Sequence, residues 1–201
     1  QRNNLLKEIS KNPSLEDTLF VWDSQLISFG TKIISARENF VKLINDIASR
    51  RHNEITDGKE CLSVVYKPNC MTENFEKKLA ENIKRDIFLG STSCGPHKDD
   101  MSFLINGSEV KTYGSQGQQR TAALSAKLAE IEIVKMETGE TPLLLLDDVL
   151  SELDGSRQLY LMESIKDIQT IITCTGIEDS IKKYADNAAI FNVENGVIKE
   201  I

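Results

Sequence analysis

The sequence predicts an α/β fold in which a parallel-sheet core, with flanking helices and a β-hairpin, is joined to a mainly helical lobe. Apolar residues keep helical spacing from Leu15 to about Ile55. From about residue 91, short apolar runs alternate with amphipathic stretches, and such alternation is typical of α/β sheets. We therefore divide the chain into a helical lobe over residues 1–90 and a sheet-containing part over residues 91–201.

The helical lobe begins with a short opening helix. Ser14 and Asp17 then have the spacing of a capping pair at the start of a second helix. The apolar spacing that follows predicts one long helix or two up to about Ile55, and Gly58 ends this segment.

Shorter elements follow, and their composition and periodicity predict their type. The Asn106-Gly107-Ser108 turn between two apolar runs predicts a β-hairpin, because Asn and Gly tolerate the positive φ of tight turns. The predicted elements are a strand at Cys61–Lys67, a helix at Glu73–Phe88, hairpin strands at Met101–Ile105 and Glu109–Tyr113, a helix from Thr121, a strand at Leu143–Leu146, a helix at Ser156–Ile165, a strand at Gln169–Cys174, a helix at Asp179–Tyr184, a strand at Ala189–Val193 and a last short strand after Gly196.

Leu143–Leu146 is an apolar run that ends in two adjacent carboxylates, Asp147 and Asp148. Pro142 precedes it, and its length predicts a central parallel strand covered on both faces. Ligands bind at the carboxyl ends of such strands, and Mg²⁺ prefers oxygen ligands. We predict a Walker B strand in which Asp147 binds Mg²⁺, directly or through water, and Asp148 orients or deprotonates the water that attacks a γ-phosphate. Alternatively, both carboxylates only cap the following helical turn.

Ser115–Arg120, with the sequence SQGQQR, is called here the signature segment. It leads into residues with helical apolar spacing, so it opens a helix. The Ser115 hydroxyl, the closely approachable backbone of Gly117 and the unpaired N–H groups of a helix N-terminus suit a γ-phosphate. The alternative is an ordinary Ser N-cap beside a Gly-containing turn.

A Walker A phosphate loop has Gly, four residues and then Gly-Lys followed by Ser or Thr. The nearest match has Gly90 and Gly95, but Pro96 lacks the N–H that the loop needs, and no Ser or Thr follows Lys98. Because the chain also begins without Met, we expect a fragment that lacks the N-terminal half of a nucleotide-binding head and that does not hydrolyse ATP alone.

Four stretches together resemble the RecF family of bacterial DNA replication and repair proteins, over roughly the second half of such a chain. They are GPHKDD at Gly95–Asp100, YGSQGQQR at Tyr113–Arg120, LLLLDDVLSELD at Leu143–Asp154 and ITCTG at Ile172–Gly176. The resemblance implies the C-terminal part of an ABC-type ATPase head, related to the chromosome-maintenance ATPases.

The resemblance also implies cofactors and partners. These are ATP and Mg²⁺, an ATP-dependent homodimer of the full-length protein, single-stranded and double-stranded DNA at gaps and strand junctions, and the proteins RecR and RecO. The implied activity is a slow, DNA-dependent ATPase that loads recombinase in repair, replication, recombination and the SOS response. A second functional class stays open, in which the chain is a DNA-binding or protein-binding scaffold that does not depend on nucleotide.

Residue roles follow from the same resemblance. The signature segment, with Ser115, Gln116, Gly117, Gln118 and Arg120, meets ATP held by the opposite subunit. Arg120 alternatively pairs with an acidic residue on its own helix.

Two further positions are implied in the same way. Ser151–Asp154 corresponds to the D-loop, with Asp154 at the dimer seam. Where transporter ATPases carry a switch His, this chain has Thr173, Cys174 and Thr175. We assign the nucleotide contact to Thr175. A Thr hydroxyl can bond a γ-phosphate but cannot carry a proton as His does, so slow turnover is expected.

His97 and the basic pairs have two interpretations each. His97 or Lys98 reaches nucleotide or DNA in an assembled head, or the Gly95-Pro96 turn makes His97 structural. The basic groups contact DNA, or they are solvated helix faces. These groups are Arg50-Arg51 with His52, Lys77-Lys78 with Lys84-Arg85, and Lys182-Lys183.

Composition indicates a globular protein of the cytoplasm. The 201 residues are 40% hydrophobic and 27% charged, which is enough for one large or two small cores. The four cysteines form no C-x-x-C pair, and no apolar run of membrane-spanning length is present. Residues 1–100 carry equal numbers of basic and acidic side chains, so the net charge of −7 arises from residues 101–201 and gives DNA binding no general electrostatic support.

Overall fold

The computed structural model describes residues 1–175, Tyr184 and residues 188–200. It is a mixed α/β structure. The helices of this described part are α1 (Arg2–Ile9), α2 (Leu19–Ile55), α3 (Phe75–Glu81), α4 (Ile83–Leu89), α5 (Val110–Tyr113), α6 (Gln116–Thr138) and α7 (Gly155–Ile165). Its strands are β1 (Leu62–Lys67), β2 (Asp100–Ile105), β3 (Ser108–Glu109), β4 (Leu144–Asp147), β5 (Thr170–Thr173), β6 (Phe191–Glu194) and β7 (Val197–Glu200). The predicted helix at Asp179–Tyr184 lies outside the described residues, apart from Tyr184.

The chain divides into two compact units. The first contains Gln1–Asp46 and Leu62–Tyr113, and the second contains Ile47–Cys61 and Gly114–Ile201. Helix α2 therefore contributes residues to both units. The functional division at residue 90 stays a prediction.

Helix α2 resolves the choice between one long helix and two, because it is continuous over 37 residues. It begins at Leu19, after a 3₁₀ helix at Pro13–Thr18. In that 3₁₀ helix the Ser14 hydroxyl donates to Asn12 Oδ1 at 2.7 Å. The prediction that Ser14 and Asp17 cap an α-helix is therefore wrong, since Ser14 bonds a side chain that precedes it.

The first unit contains an antiparallel sheet with the order β1-β2-β3. Leu62 pairs with Ile105, and Val64 pairs with Phe103. Leu62, Val64 and Ile105 are buried, as expected for a sheet with one face toward the core. The predicted strand at Cys61–Lys67 and the hairpin turn are thus found, and the positive φ of Asn106 and Gly107 explains the turn chemistry.

The second predicted hairpin strand ends at Glu109, and Val110–Tyr113 form a short helix instead. The Glu109 carboxylate accepts hydrogen bonds from Ser102 (2.8 Å), Lys67 (3.0 Å) and Thr112 (2.9 Å). These donors, Ser102 first, lower the pKa of Glu109 to about 2. Because Thr112 lies three residues after Glu109, its bond closes a helical turn that the strand pattern did not reveal.

The helix predicted at Glu73–Phe88 is divided at Asn82 into α3 and α4. The Lys78 carbonyl accepts the Asn82 backbone N–H at 3.1 Å and the Asn82 side-chain amide at 2.8 Å. An Asn side chain that bonds the preceding turn competes with continued helical bonding. The break therefore comes from local side-chain chemistry rather than from the apolar pattern, which continues through it.

Helix α2 passes close to the ring of Phe75 at Gly30. Phe75 is fully buried in a cluster with Ile34, Cys70 and Cys94. A Cβ on Gly30 would lie only 2.5 Å from Phe75 Cε1. Gly in a helix interior is less favourable than Ala by about 0.5–1 kcal/mol, so the close approach of the ring explains why Gly occupies this position.

The second unit is built on the parallel pair β4–β5, with Leu144 opposite Thr170 and Asp147 opposite Thr173. Strands β6 and β7 form a separate antiparallel hairpin. The apolar core beneath the parallel pair comes from α6, α7 and the turn after β4. Its buried members are Leu124, Leu128, Leu150, Leu153, Leu161 and Ile165.

We expect Gly30→Ala to destabilise the chain although Ala is the better helix former. The added methyl must displace the buried Phe75 ring, and overpacking of this kind costs about 1–3 kcal/mol. Urea denaturation followed by circular dichroism measures the change.

Gly155→Ala is the matched control, because a Cβ there meets nothing within 4 Å. It should leave the urea midpoint unchanged or raise it slightly. Equal midpoints for the two variants would show that the Phe75 ring does not constrain Gly30.

Candidate functional site

The carboxyl ends of β4 and β5 meet at Asp147 and Thr173, which are partners in the parallel register. The Thr173 hydroxyl donates to Asp147 Oδ1. The Asp148 N–H donates to the backbone carbonyl and the hydroxyl oxygen of Thr173, both at 3.1 Å. These bonds join the two strand ends. The Asp147 side chain is nevertheless exposed at this edge of the sheet.

Asp148 follows β4 in a left-handed backbone conformation, with φ 52° and ψ 19°. It occupies the N-cap position of the 3₁₀ helix Val149–Glu152, and within the described structure its side chain makes no capping hydrogen bond. The alternative in which this carboxylate caps the following turn is therefore not the observed geometry. Its carboxylate is exposed beside Asp147.

One face of the β4–β5 pair is exposed. The exposed fractions of Leu143, Leu145 and Ile171 are 54%, 67% and 56%. The expectation that this strand is covered on both faces is therefore wrong for the described chain. A largely apolar groove of about 620 Å³ lies within the second unit between β4 and α6, and Leu143, Leu145, Ala123 and Lys127 are among its lining residues.

The signature segment opens α6 as predicted. Ser115 is the N-cap, and it forms a capping box with Gln118. The Gln118 N–H donates to Ser115 Oγ at 3.2 Å, and the Ser115 N–H donates to Gln118 Oε1 at 2.9 Å. The N-cap interpretation of Ser115 is thus correct as a description of the chain, while contacts of Ser115, Gln116 and Gly117 with nucleotide stay predictions.

Arg120 connects α6 to the segment after β4. Its Nη1 donates to the backbone carbonyl of Glu152 at 2.8 Å. The observed bond is neither of the two predicted contacts, a phosphate across a dimer or an acidic side chain on the same helix. Because Glu152 lies in the segment predicted to be the D-loop, Arg120 holds two of the predicted nucleotide-contacting segments together.

Asp154 is the N-cap of α7. Its carboxylate accepts from the Ser156 hydroxyl at 2.6 Å, from the Arg157 N–H at 3.0 Å and from the Arg157 guanidinium. The Ser156 hydroxyl and the Arg157 N–H lower the pKa of Asp154 below its ordinary value. The side chain predicted to lie at a dimer seam therefore has a structural role within this chain.

Thr175 is exposed just after β5. The residue of this segment that contacts the carboxylates is Thr173, not Thr175. Gly176, which completes the ITCTG turn, lies outside the described residues. A contact of Thr175 with a γ-phosphate stays a prediction.

The GPHKDD stretch lies in the first unit, and its most connected side chain is Asp99. The Asp99 carboxylate accepts from Arg37 at 3.1 Å and from the Asn69 N–H at 2.9 Å, and it is 2% exposed. His97 is exposed, with Nε2 at 3.0 Å from the Thr92 carbonyl oxygen. Asp99 thus fixes this segment, and a functional role for His97 stays a prediction.

The basic group at Arg50-Arg51 with His52 is not a free cationic surface. Arg50 and Arg51 both pair with Glu132, and the His52 side chain is fully buried. The inclusion of His52 in a DNA-contacting patch is therefore wrong. Lys182-Lys183 lies outside the described residues.

Residues 1–175, Tyr184 and 188–200 contain neither a metal-ligand cluster nor a membrane-spanning helix. In that part of the chain no three His, Cys, Asp or Glu side chains gather around one point as metal ligands. Among the same residues, no helix combines the length and the apolar character needed to cross a bilayer.

Sequence reasoning missed a contact between the signature segment and the loop that follows α2. Gln118 Nε2 donates to Glu60 Oε1 at 2.9 Å, and Glu60 Oε2 lies 3.1 Å from His52 Nε2. Glu60 and Gln118 are 58 positions apart in the chain, so no periodic pattern relates them. A His in an otherwise amphipathic helix was the available indication, and it was interpreted as surface charge.

Curated relatives resemble this chain over its full length. The DNA replication and repair protein RecF of Lachnoclostridium phytofermentans is 54% identical over 200 residues, which is 100% of this chain and 56% of that protein. The protein of the same name from Lachnospira eligens is 51% identical over 198 residues, 98% of this chain and 54% of that protein. The chain therefore matches one part of the RecF proteins. It spans about half the length of these relatives. No protein-family model matches the chain.

Solved RecF structures match the fold. A structure described as the recombination mediator protein RecF-ATPrS in the RecFOR pathway has a TM-score of 0.85 and 35% identity, and covers 100% of this chain and 55% of that one. The corresponding RecF-ATP structure has a TM-score of 0.82 and 34% identity over 100% of this chain and 54% of its own. A structure from a study of SMC ATPases, with a TM-score of 0.53 and 15% identity over 84% of this chain and 88% of its own, shares the fold alone. The predicted fold class is confirmed.

We expect Asp154→Ala to lower the free energy of unfolding by about 1 kcal/mol at pH 7, because it removes an N-cap. The folded-state pKa of Asp154 is lowered, so its ionised form stabilises the fold above the ordinary carboxyl pKa. This contribution is lost as the pH falls through the folded-state pKa. The difference between the variant and the parent chain should therefore shrink below about pH 4. Urea denaturation at pH 7 and below pH 4 measures it.

Glu130→Ala is the control, because the exposed Lys127–Glu130 pair on α6 contributes about 0–1 kcal/mol. A difference for Asp154→Ala that stays constant across this pH range would contradict the capping role of the ionised carboxylate.

Proposed function

We propose that this chain supplies the Walker B strand, the signature segment and the D-loop of a RecF-type ATPase that acts in DNA replication and repair. The observation that carries the proposal is the parallel pairing of β4 and β5, which brings Thr173 onto Asp147 and leaves the Asp148 carboxylate exposed next to it. The names of the relatives and the RecF structures described with ATP and ATPrS support the same function.

Asp147 suits a magnesium site. One of its carboxylate oxygens accepts the Thr173 hydroxyl, and the exposed side chain keeps the carboxylate accessible to a metal ion or its water. Hard oxygen donors of this kind are what Mg²⁺ requires. When bound, Mg²⁺ would neutralise charge on the nucleotide phosphates. Asp147 would hold it, and Thr173 would orient Asp147.

Asp148 suits the role of general base. A general base must lie within reach of the attacking water. The exposed Asp148 carboxylate lies at the same sheet edge as Asp147, which supports this role. The bonds from the Asp148 N–H to Thr173 fix its backbone, so the carboxylate moves only about its own side-chain torsions. Asp148 would orient and deprotonate water while Asp147 stays bound to the metal ion.

The remaining predicted contacts would act across a dimer. Ser115, Gln116 and Gly117 lie at the N-terminus of a long helix, where backbone N–H groups favour an anion. Gln118 and Arg120 would support this surface through their bonds to Ser115 and Glu152. We propose that this surface meets ATP of the opposite subunit. Asp154 would lie at the same seam, and Thr175 would bond the γ-phosphate.

The proposal includes the partners that the resemblance implies. They are single-stranded and double-stranded DNA at gaps and junctions, RecR, RecO and a second copy of the full-length protein. The description of the solved relatives within a RecFOR pathway supports them. We further propose that residues 1–90 serve as the helical lobe and that residues 91–201 complete the ATPase head.

The exposed apolar face of β4 and β5 supports the proposal that the head needs more chain than these 201 residues. Leu143, Leu145 and Ile171 are each more than half exposed, and apolar parallel strands are ordinarily covered on both faces. The relatives are nearly twice as long as the matched part. We propose that their remaining part covers this face and carries the phosphate loop that the sequence lacks.

The test uses a chimera in which this chain replaces the matching segment of the Lachnoclostridium phytofermentans RecF. We expect the chimera to hydrolyse ATP with Mg²⁺, whereas the 201-residue chain alone does not. Asp148→Asn should lower the hydrolysis rate by about 10²–10⁴-fold, the contribution of a general base, and should leave ATP-dependent dimerisation intact. Asn also tolerates the left-handed backbone at this position. Phosphate release and light scattering measure the two properties.

Glu130→Gln in the same chimera is the control for loss of a carboxylate elsewhere in the second unit. Unchanged hydrolysis in Asp148→Asn would overturn the base assignment. DNA binding by the chimera that is independent of nucleotide, with no hydrolysis at all, would favour the scaffold interpretation instead.

A further inference from the structure

A chain of hydrogen bonds in the second unit joins the signature segment to a buried histidine. It begins at the Ser115 backbone and continues through the side chains of Gln118, Glu60 and His52 to Ser125. Its successive heavy-atom distances are 2.9, 2.9, 3.1 and 3.2 Å. The members come from the end of α2, the loop after it and the first three turns of α6.

Gln118 has only one amide orientation that satisfies its partners. Its Oε1 accepts the Ser115 N–H, which is always a donor, and its Nε2 donates to the Glu60 carboxylate, which accepts when ionised. A flipped amide would place donor against donor and acceptor against acceptor. Glu60 therefore selects the amide orientation that closes the capping box of Ser115, and the shape of the signature segment depends on it.

Glu60 is in turn anchored by His52. Its second carboxylate oxygen lies 3.1 Å from His52 Nε2, so that nitrogen carries a proton and donates. His52 is fully buried, and burial lowers its pKa although Glu60 opposes the shift. The neutral ring with the proton on Nε2 therefore faces Glu60, and Nδ1 faces the Ser125 hydroxyl on α6 at 3.2 Å.

The hydrogen-bonded contacts of His52 continue along one face of α6. Ser125 Oγ also lies 2.8 Å from the Thr121 carbonyl oxygen, so its single proton serves either this oxygen or the unprotonated Nδ1 of His52. Thr121 Oγ1 donates to the Gly117 carbonyl at 2.7 Å. Thr121 and Ser125 are fully buried. His52 and Glu60 thus bridge the interior of α6 to its first turn. Buried positions are ordinarily occupied by apolar residues. Buried polar side chains occur in native structures when they are hydrogen-bonded.

We propose that Glu60 and His52 are positioning residues for the signature segment, acting through Gln118 to hold Ser115 and Gly117 in the shape that meets nucleotide. The positioning is observed within this chain, whereas its purpose rests on the proposed function. Glu60 touches no reacting group in this account. Its effect on nucleotide would pass through Gln118.

The first experiment measures hydrogen exchange of the Ser115 and Gln118 amides in the 201-residue chain without nucleotide. Glu60→Ala should accelerate exchange at both amides about five- to tenfold, the factor expected when one net hydrogen bond is lost. Glu60→Gln should restore slow exchange, because its oxygen can accept from Gln118 and its amide can donate to the other tautomer of His52. Asp57→Asn is the matched control, since Asp57 is 83% exposed and lies three residues away.

A double variant distinguishes an effect of Glu60 that passes through Gln118 from a general loss of stability of the second unit. In a Gln118→Ala background, Glu60→Ala should add no further acceleration at Ser115, because the path through Gln118 is already broken. The Leu144 amide on β4, which donates to the Gln169 carbonyl elsewhere in the second unit, tests for general loosening of that unit and should not change. If Glu60→Ala does not fold, Glu60→Asp keeps the charge near His52 but shortens the reach to Gln118, and it should show the same local acceleration.

The second experiment uses the RecF chimera. Glu60→Ala should weaken ATP-dependent dimerisation about tenfold, with Glu60→Gln and Asp57→Asn close to the parent, while ATP affinity of the monomer stays unchanged. Unaltered exchange at Ser115 in both Glu60→Ala and Glu60→Asp would overturn the positioning inference. Accelerated exchange together with a parent chimera that never dimerises with ATP would leave the positioning standing and overturn the proposed function.

Discussion

The parallel register of β4 and β5 is the constraint on which the rest of the site depends. Asp147 lies opposite Thr173, and the short side chains of these residues can bond only in this register. A shift of one strand by one residue would place the two side chains on opposite faces of the sheet. The bonds from the Asp148 N–H to Thr173 then determine where the chain leaves the strand, and the turn at Val149–Glu152 carries it to α7.

The predicted nucleotide-contacting residues stabilise this chain directly. Ser115 and Asp154 cap the helices α6 and α7, and Arg120 bonds the turn between β4 and α7. Such contacts keep loop backbones in place before any ligand arrives, and a site that is rigid in advance loses less entropy on binding. Capping and ligand binding are therefore compatible roles at a helix N-terminus, where more N–H groups are available than one side chain can satisfy.

The sequence alone predicts those elements in which the apolar spacing and the local capping chemistry indicate the same structure. The strand before Asp147 and the helix after Ser115 follow from apolar spacing and one capping residue, and both are found. The prediction from sequence failed where a single side-chain hydrogen bond determines the local structure. Thr112 turns the predicted strand after Glu109 into a helix, and Asn82 divides a helix whose apolar pattern continues.

Long-range polar contacts were also beyond sequence reasoning. His52 looked like part of a surface charge cluster, and only its contacts with Glu60 and Ser125 explain its burial. Apolar burial has a periodicity that local sequence records, whereas a buried polar side chain depends on partners that are distant in the chain. One prediction about burial failed for a different reason. Leu145 lies in an apolar run that is typical of a strand covered on both faces, but no residue of the described chain covers it.

The left-handed backbone at Asp148 relates the conformation of this position to its residue type. At φ 52°, Asp and Asn are several-fold enriched among residues with side chains, whereas longer side chains such as Glu are less compatible. The backbone conformation after β4 therefore favours an acidic residue with a short side chain at position 148. A change to Glu would be less favourable with this backbone, so the identity of this carboxylate and the course of the backbone are expected to vary together rather than independently.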